Sequence, residues 1–251
     1  MIHGAAAEGF SADPAAYDRA RPDYPPKAVR WLFDRLDLDA DDTVVDLGAG
    51  TGKLTAQLLS SGATVIAVEP VAEMRAAFRR KLPLVEVVDA AAERLPFPPG
   101  SAAAVVAGQA FHWFDHAQAL PEIHRVLGSA GRLGLVWNRR DQDQPLQAAI
   151  SELVAPHRAD TPAHRSGAWQ QELEASPLFR LEGTTEVEHE QRLDRQGLTE
   201  RVASISFIAA LPNEERRRVL DAAGRLMGPS TEVGLAYVAE VFSYVRCNGA
   251  E

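Results

Sequence analysis

The sequence predicts an α/β protein built on a doubly wound, mostly parallel seven-stranded sheet. Three observations lead there. Between residues 28 and 138 short runs rich in Val, Leu and Ala alternate with stretches of helical periodicity, the pattern of strands joined by right-handed crossovers. A glycine-rich turn follows the first of these runs. Two further β-like stretches, 178–193 and 233–245, come after more helical sequence and supply the last two strands.

Each element has its own signal. Val29, Leu32, Phe33 and Leu36 recur at i, i+3, i+4 and i+7, one face of a helix. Thr43 to Leu47 reads as a buried strand, and Leu54 and Leu58 lie on the helix after it, which Gly62 can end in the left-handed conformation. Ala63 to Glu69 is the second strand, followed by a helix marked by Met74, Ala77 and Phe78. Leu84 to Val88, Ala103 to Gly108 and Gly131 to Trp137 are the next three strands, the last two separated by a helix through Leu120, Ile123 and Leu127. Beyond Asn138 the texture changes. Leu146, Ile150, Leu153 and Val154 mark an amphipathic helix, 178–193 is β-like but polar, and two helices follow near 198–208 and 213–227. The organisation expected is one domain over 1–251: an N-terminal cap (1–27), a ligand-binding core (28–138), then lid helices and final strands (139–251).

Bulk properties narrow the function classes. A hydrophobic fraction of 46% and a charged fraction of 24% are those of an ordinary globular protein. The net charge of −9 argues against a nucleic-acid partner, which needs a concentrated positive surface. No apolar run reaches the ~18 residues of a membrane span, and the N-terminus lacks the basic and apolar regions of a signal peptide. A lone Cys247 forms no internal disulfide and no thiolate cage. The expectation is a cytoplasmic protein with neither a nucleic-acid nor a membrane partner.

The chemistry concentrates in Asp46-Leu47-Gly48-Ala49-Gly50-Thr51-Gly52, between the first strand and its helix. In open parallel sheets ligands bind beyond the C-terminal strand ends, at the switch point. Glycines let the backbone bend sharply there and approach a ligand with no Cβ in the way, and the following helix end can offer N–H groups to an anion. A Walker loop fails because positions 47 and 54 are both Leu. A dinucleotide fingerprint is weakened because Lys53 stands where Gly or Ala is needed for helix–strand packing.

The remaining pattern, D-x-G-x-G-x-G, resembles the first motif of class I S-adenosylmethionine-dependent methyltransferases. Glu69, in Val68-Glu69-Pro70, stands where that family has an acid for the ribose hydroxyls, and Asp89, in Val88-Asp89-Ala90, where it has a residue for the adenine amino group. The resemblance implies the Rossmann-like methyltransferase fold, S-adenosylmethionine as cofactor and S-adenosylhomocysteine as product. It implies contacts from Gly48, Ala49, Gly50, Gly52, Glu69, Pro70, Asp89 and Ala90, with Asp46 bracing the loop through backbone amides. Tyr17 to Pro25 resembles the N-terminal segment of a small-molecule subgroup that includes trans-aconitate-type enzymes, which folds over the methionine end of the cofactor. Tyr17 and Arg21 take that role here, and Tyr24 faces the acceptor. Gln109-Ala110-Phe111-His112-Trp113 resembles the subgroup's Ala-x-His-Trp signature, putting Gln109 and Ala110 against the cofactor and His112 and Trp113 near the substrate.

For His112 a structural hydrogen-bonded role and a general-base role are both open. Arg139, Arg140, Arg158 and Arg165 are candidates to hold an anionic acceptor, Arg139 foremost. The Asx-Pro-Pro-aromatic motif of adenine-amino methyltransferases is absent after strand four, and Gln109 stands where a metal-dependent enzyme needs an acid, so no metal is expected. The resulting expectation is methyl transfer to a carboxylate or hydroxyl oxygen. A non-catalytic cofactor-binding protein and a nicotinamide-dependent oxidoreductase stay open as alternatives.

Overall fold

The structure is a computed structural model that describes residues 14–158 and 166–248. Arg165 and the first 13 residues of the expected cap lie outside the described residues. A short helix α1 (Pro14–Ala20) leads into α2 (Pro26–Leu36), which starts with Pro at N1 and ends at Asp37 in the left-handed region, φ 52°. Then come β1 (Thr43–Leu47), α3 (Lys53–Leu58), β2 (Thr64–Val68), α4 (Ala72–Lys81), β3 (Glu86–Val88) and β4 (Ala102–Gly108). The chain continues through α5 (His116–Val126), β5 (Leu127–Arg140), α6 (Pro145–Val154), α7 (Ala168–Ala175) and β6 (Phe179–Leu193). It closes with α8 (Arg195–Ala203), α9 (Ser206–Ala209), α10 (Asn213–Leu226) and β7 (Val233–Arg246).

The seven strands form one sheet in the order β3-β2-β1-β4-β5-β7-β6. β1 to β5 are parallel, and β7 runs antiparallel between β5 and β6. Both faces are covered, so the central strands read as continuous apolar runs. One face packs Val44, Val106, Val136 and Val241 against Leu32 and Leu36 of α2. The other buries Val45, Val105, Leu133 and Trp137 against Phe111, Ile123 and Trp169. A third cluster joins Ile150, Val154, Val202, Ile208, Val219 and Tyr237, so α6, α8, α9 and α10 pack on one another and on the start of β7.

Three boundaries differ from the periodicity. Leu84 is 98% exposed and precedes β3, which keeps only Glu86–Val88. The helix expected over 198–208 breaks in two because Ser204 turns its Oγ back to the Arg201 carbonyl and Ile205 is extended. β5 runs past both expected ends, accommodated by a register shift opposite Ala102–Ala104. Among the described residues no helix is long and apolar enough to cross a membrane.

Candidate active site

The glycine bend lies at the C-terminal end of β1, where the strand order reverses from β2 on one side to β4 on the other. Gly48, Gly50 and Gly52 all have positive φ, at 65°, 59° and 85°. Their surroundings separate their roles. A Cβ on Gly48 would stand 2.6 Å from Ala110 Cβ, and one on Gly52 within 2.9 Å of Leu82 and Phe78. Both are required by close packing. A Cβ on Gly50 would meet nothing within 4 Å. This glycine borders open space, where a side chain would displace a ligand.

The backbone amides of the bend are turned inward. Gly48 and Ala49 donate to the Val68 carbonyl, Gly52 to that of Ala49, and Gly50 to Glu69 Oε2 at 2.8 Å. The loop folds back on β2, so these four N–H groups are spent within the bend. Asp46 braces the start of α3 at Thr55, through both the Thr55 hydroxyl and its backbone amide. It is fully buried, its Oδ2 accepts from the Thr55 hydroxyl of α3, and its Oδ1 is buried without a partner. Burial raises its carboxyl to about 7, against the Thr55 hydrogen bond that favours the charged form.

Glu69 and Asp89 end β2 and β3, one strand apart. Glu69 is 5% exposed, and its two oxygens accept N–H groups from Gly50 and Val71. Burial pushes its carboxyl up while these bonds hold it down. Each oxygen keeps a second acceptor direction. Asp89 is largely exposed and accepts from Arg75 at 2.6 Å; the same guanidinium donates to the Glu69 carbonyl at 2.8 Å. Arg75 thus spaces the two strand ends, a role that nothing in its helical context signalled.

The segment 17–25 lies across the bend. Asp18 accepts from Thr51 Oγ1 at 2.6 Å and from Lys81, Asp23 pairs with Lys53, and Asn138 donates to the carbonyls of Pro22 and Asp23. Burial alone would raise the Asp18 carboxyl, but Thr51, Lys81 and Lys53 hold it below its usual range. Tyr24 is buried, with its hydroxyl against Gly108. The result is a cavity of about 60 Å³ lined by Tyr17, Arg21, Tyr24, Gly48, Gly50 and Gln109, with Asp46, Ala49, Asn138 and Arg201 also on its wall. Gln109 reaches it through a left-handed backbone, φ 58°, rare outside glycine and typical of functional positions.

The other expected residues are placed elsewhere. Gly52, Glu69, Pro70, Asp89, Ala90 and Ala110 are not on the cavity wall. His112 and Trp113 sit on a single 3₁₀ turn, where His112 Nδ1 accepts from the Trp137 indole N–H at 3.2 Å. Arg139 is paired with Glu240 at 2.6 Å. Strand residues alternate between faces, so Arg139 shares its face with Trp137, while Asn138 and Arg140 point to the cavity side.

A mostly parallel sheet with this bend at its switch point and acids ending the next two strands is the architecture of class I methyltransferases. Comparison with known proteins agrees. A family model described as "Methyltransferase domain" matches residues 45–135. An uncharacterized methyltransferase of Mycobacterium tuberculosis is 37% identical over 219 residues, 87% of this chain and 85% of that one. A trans-aconitate 2-methyltransferase of Azoarcus sp. is 33% identical over 180 residues, 68% of this chain and 70% of that one. Among solved structures, a protein of Anaeromyxobacter dehalogenans assigned as a type II methyltransferase superposes with a TM-score of 0.66 at 24% identity, covering 90% of this chain and 97% of that one. The chain belongs to the class I S-adenosylmethionine-dependent methyltransferases.

Proposed function

We propose that the enzyme methylates a carboxylate oxygen of a small, soluble cytoplasmic metabolite. The observation that carries this reading is the closed crevice, in which Tyr17, Arg21 and Tyr24 roof the glycine bend. Its volume of about 60 Å³ is far below the roughly 300–1,000 Å³ of small-molecule sites, so the arm must swing out for ligands to enter and close after them. A site shut in this way suits a small acceptor rather than a polymer strand. The Azoarcus relative is named for a carboxylate acceptor.

The residues present fit S-adenosylmethionine: open space beside Gly50, spare acceptor directions on Glu69 for a vicinal diol, an acid and Ala90 at the end of β3 for the adenine, and Arg21 with Tyr17 over the cavity for the methionine carboxylate. Gln109 adds a polar side chain to the same cavity wall. The cofactor supplies an electrophilic methyl group on a sulfonium. The protein's part is to hold the two partners in line and keep water out, which is worth on the order of 7–11 kcal/mol of barrier. An indole N–H only donates, so His112 Nδ1 must accept from Trp137 and the neutral ring carries its proton on Nε2. Its one acceptor nitrogen is thus engaged by Trp137. A carboxylate acceptor would have no proton to lose, so it would ask no base of the protein.

Transfer of a tritiated methyl group to pooled carboxylic acids, alcohols, phenols and amines, with DNA and tRNA as controls, tests the reading. Label should enter the acid pool as a methyl ester that releases labelled methanol in alkali. His112→Ala should change that rate by less than roughly tenfold, whereas loss of a general base costs roughly 10²–10⁴-fold. Label in nucleic acid, or alkali-stable product alone, overturns it.

A further inference from the structure

Next to the crevice four arginines converge, and among the described residues no acid pairs with them. Arg140 lies opposite Tyr237 on β7, and Tyr237 opposite His189 on β6, so the three side chains stand in one row on the cavity side of the sheet. His189 stacks on Tyr237 with ring centroids 5.6 Å apart and donates from Nε2 to Asn138 Oδ1 at 2.9 Å. From α8, Arg201 donates through Nε to the Tyr237 hydroxyl at 2.8 Å. From the arm, Arg21 donates to the Ser204 carbonyl at 2.7 Å. Arg158, at the end of the described part of the lid, stacks over Phe207 at 5.6 Å. Burial first, then repulsion from Arg201, Arg21 and Arg158, lowers Arg140 to about 10.

This arrangement differs from that of three other arginines that are buried or half-buried. Arg75, Arg125 and Arg139 each have a carboxylate within 2.7 Å. Among the described residues none of the four clustered arginines has an acid within ion-pair distance. Arg140 Nη1 and Arg21 Nε are buried with no hydrogen-bond partner. Buried charge without a counter-ion is costly. Arg21 and Arg201 tie the arm and α8 together through Ser204 and Tyr237, which is a structural reason for those two. Arg140 donates no side-chain hydrogen bond among the described residues, and bracing does not explain it.

We infer that Arg140, Arg158 and Arg201 form the acceptor subsite and that the acceptor carries at least two negative charges. The inference rests on the methyltransferase reading above, because the cofactor's own carboxylate neutralises Arg21 and leaves three cations over. Planar guanidinium forks match carboxylate and phosphate oxygens two at a time, so the shared chemistry is a polyanion, either a polycarboxylate or an organic phosphate.

The test is calorimetric titration at low ionic strength of the full chain, alone and saturated with S-adenosylhomocysteine, using tricarballylate, pyrophosphate and acetate. One polyanion should bind one to one and at least about tenfold more tightly than acetate, and the tighter of the two assigns carboxylate or phosphate. Arg140→Gln should weaken it about tenfold or more, the size of a lost charged hydrogen bond, while changing S-adenosylhomocysteine affinity by less than about twofold. The melting temperature of ligand-free Arg140→Gln should hold or rise as repulsion is relieved. If that variant does not fold, Arg158→Gln carries the same test. Polyanions binding no better than acetate, or equally well to the variant, overturn the subsite. Failure of the unsubstituted protein to bind S-adenosylhomocysteine is the separate result that overturns the cofactor reading.

Discussion

At the scale of single residues, the three glycines of one motif do different work. Gly50→Val should abolish S-adenosylhomocysteine binding in calorimetry, because the added side chain enters open space, while the positive φ of 59° costs about 1–2 kcal/mol of stability. Gly48→Ala should instead cost about 1–3 kcal/mol in urea unfolding, since its Cβ would collide with Ala110 at a positive φ. Asp46 makes a further case. Its folded carboxyl is raised to about 7 from 3.8, so the folded state binds more protons than the unfolded state between those values. Its contribution to stability is therefore full below about pH 4 and falls as pH rises toward 7. Asp46→Asn can still accept from Thr55 and does not ionise. The stability difference between Asp46→Asn and the unsubstituted protein should shift in favour of the variant from pH 4.5 to 8. A flat difference would show that the buried carboxyl does not titrate in that window.

Among the elements, the arm is held by packing more than by charge. The Asp23–Lys53 pair looks prominent, but Asp23 is 73% exposed, and such pairs are worth about 0–1 kcal/mol. Tyr24 is 5% exposed, and truncating a buried aromatic costs about 3–5 kcal/mol. Asp23→Ala should therefore shift the urea midpoint little. Tyr24→Ala should shift it strongly and speed S-adenosylhomocysteine release in stopped-flow measurements, as the roof loosens. On β5 the decisive property is parity. Arg139 and Arg140 are adjacent in the chain, yet one is spent on Glu240 and the other faces the cavity.

For the molecule as a whole, the reversal of strand order beside β1 places the bend, the arm, β4 and β5 around one crevice. A ligand that binds only the folded form stabilises it by about 2.7 kcal/mol at 100 times its dissociation constant. S-adenosylhomocysteine should accordingly raise the melting temperature in a concentration-dependent way and NAD should not. The overall charge of −9 coexists with a local cluster of four arginines, so net charge describes the surface a nucleic acid would meet and says nothing of a buried anion site.

The alternating periodicities and the D-x-G-x-G-x-G spacing were enough to read the sheet, its strand count and the acids at the ends of β2 and β3, because these follow from local pattern and chain order, while the cofactor class came from the family resemblance of the motif. The break at Ser204, the early exposure of Leu84, Arg75 bridging two strand ends and the gathering of Arg21, Arg140, Arg158 and Arg201 were not legible. Those depend on contacts between residues as much as 183 positions apart, and on which face of a strand a side chain takes, which a single residue of register reverses. Local pattern dictates where elements start and what a loop can bind. Only packing decides which charged side chains meet, as it does for Arg21, Arg140, Arg158 and Arg201.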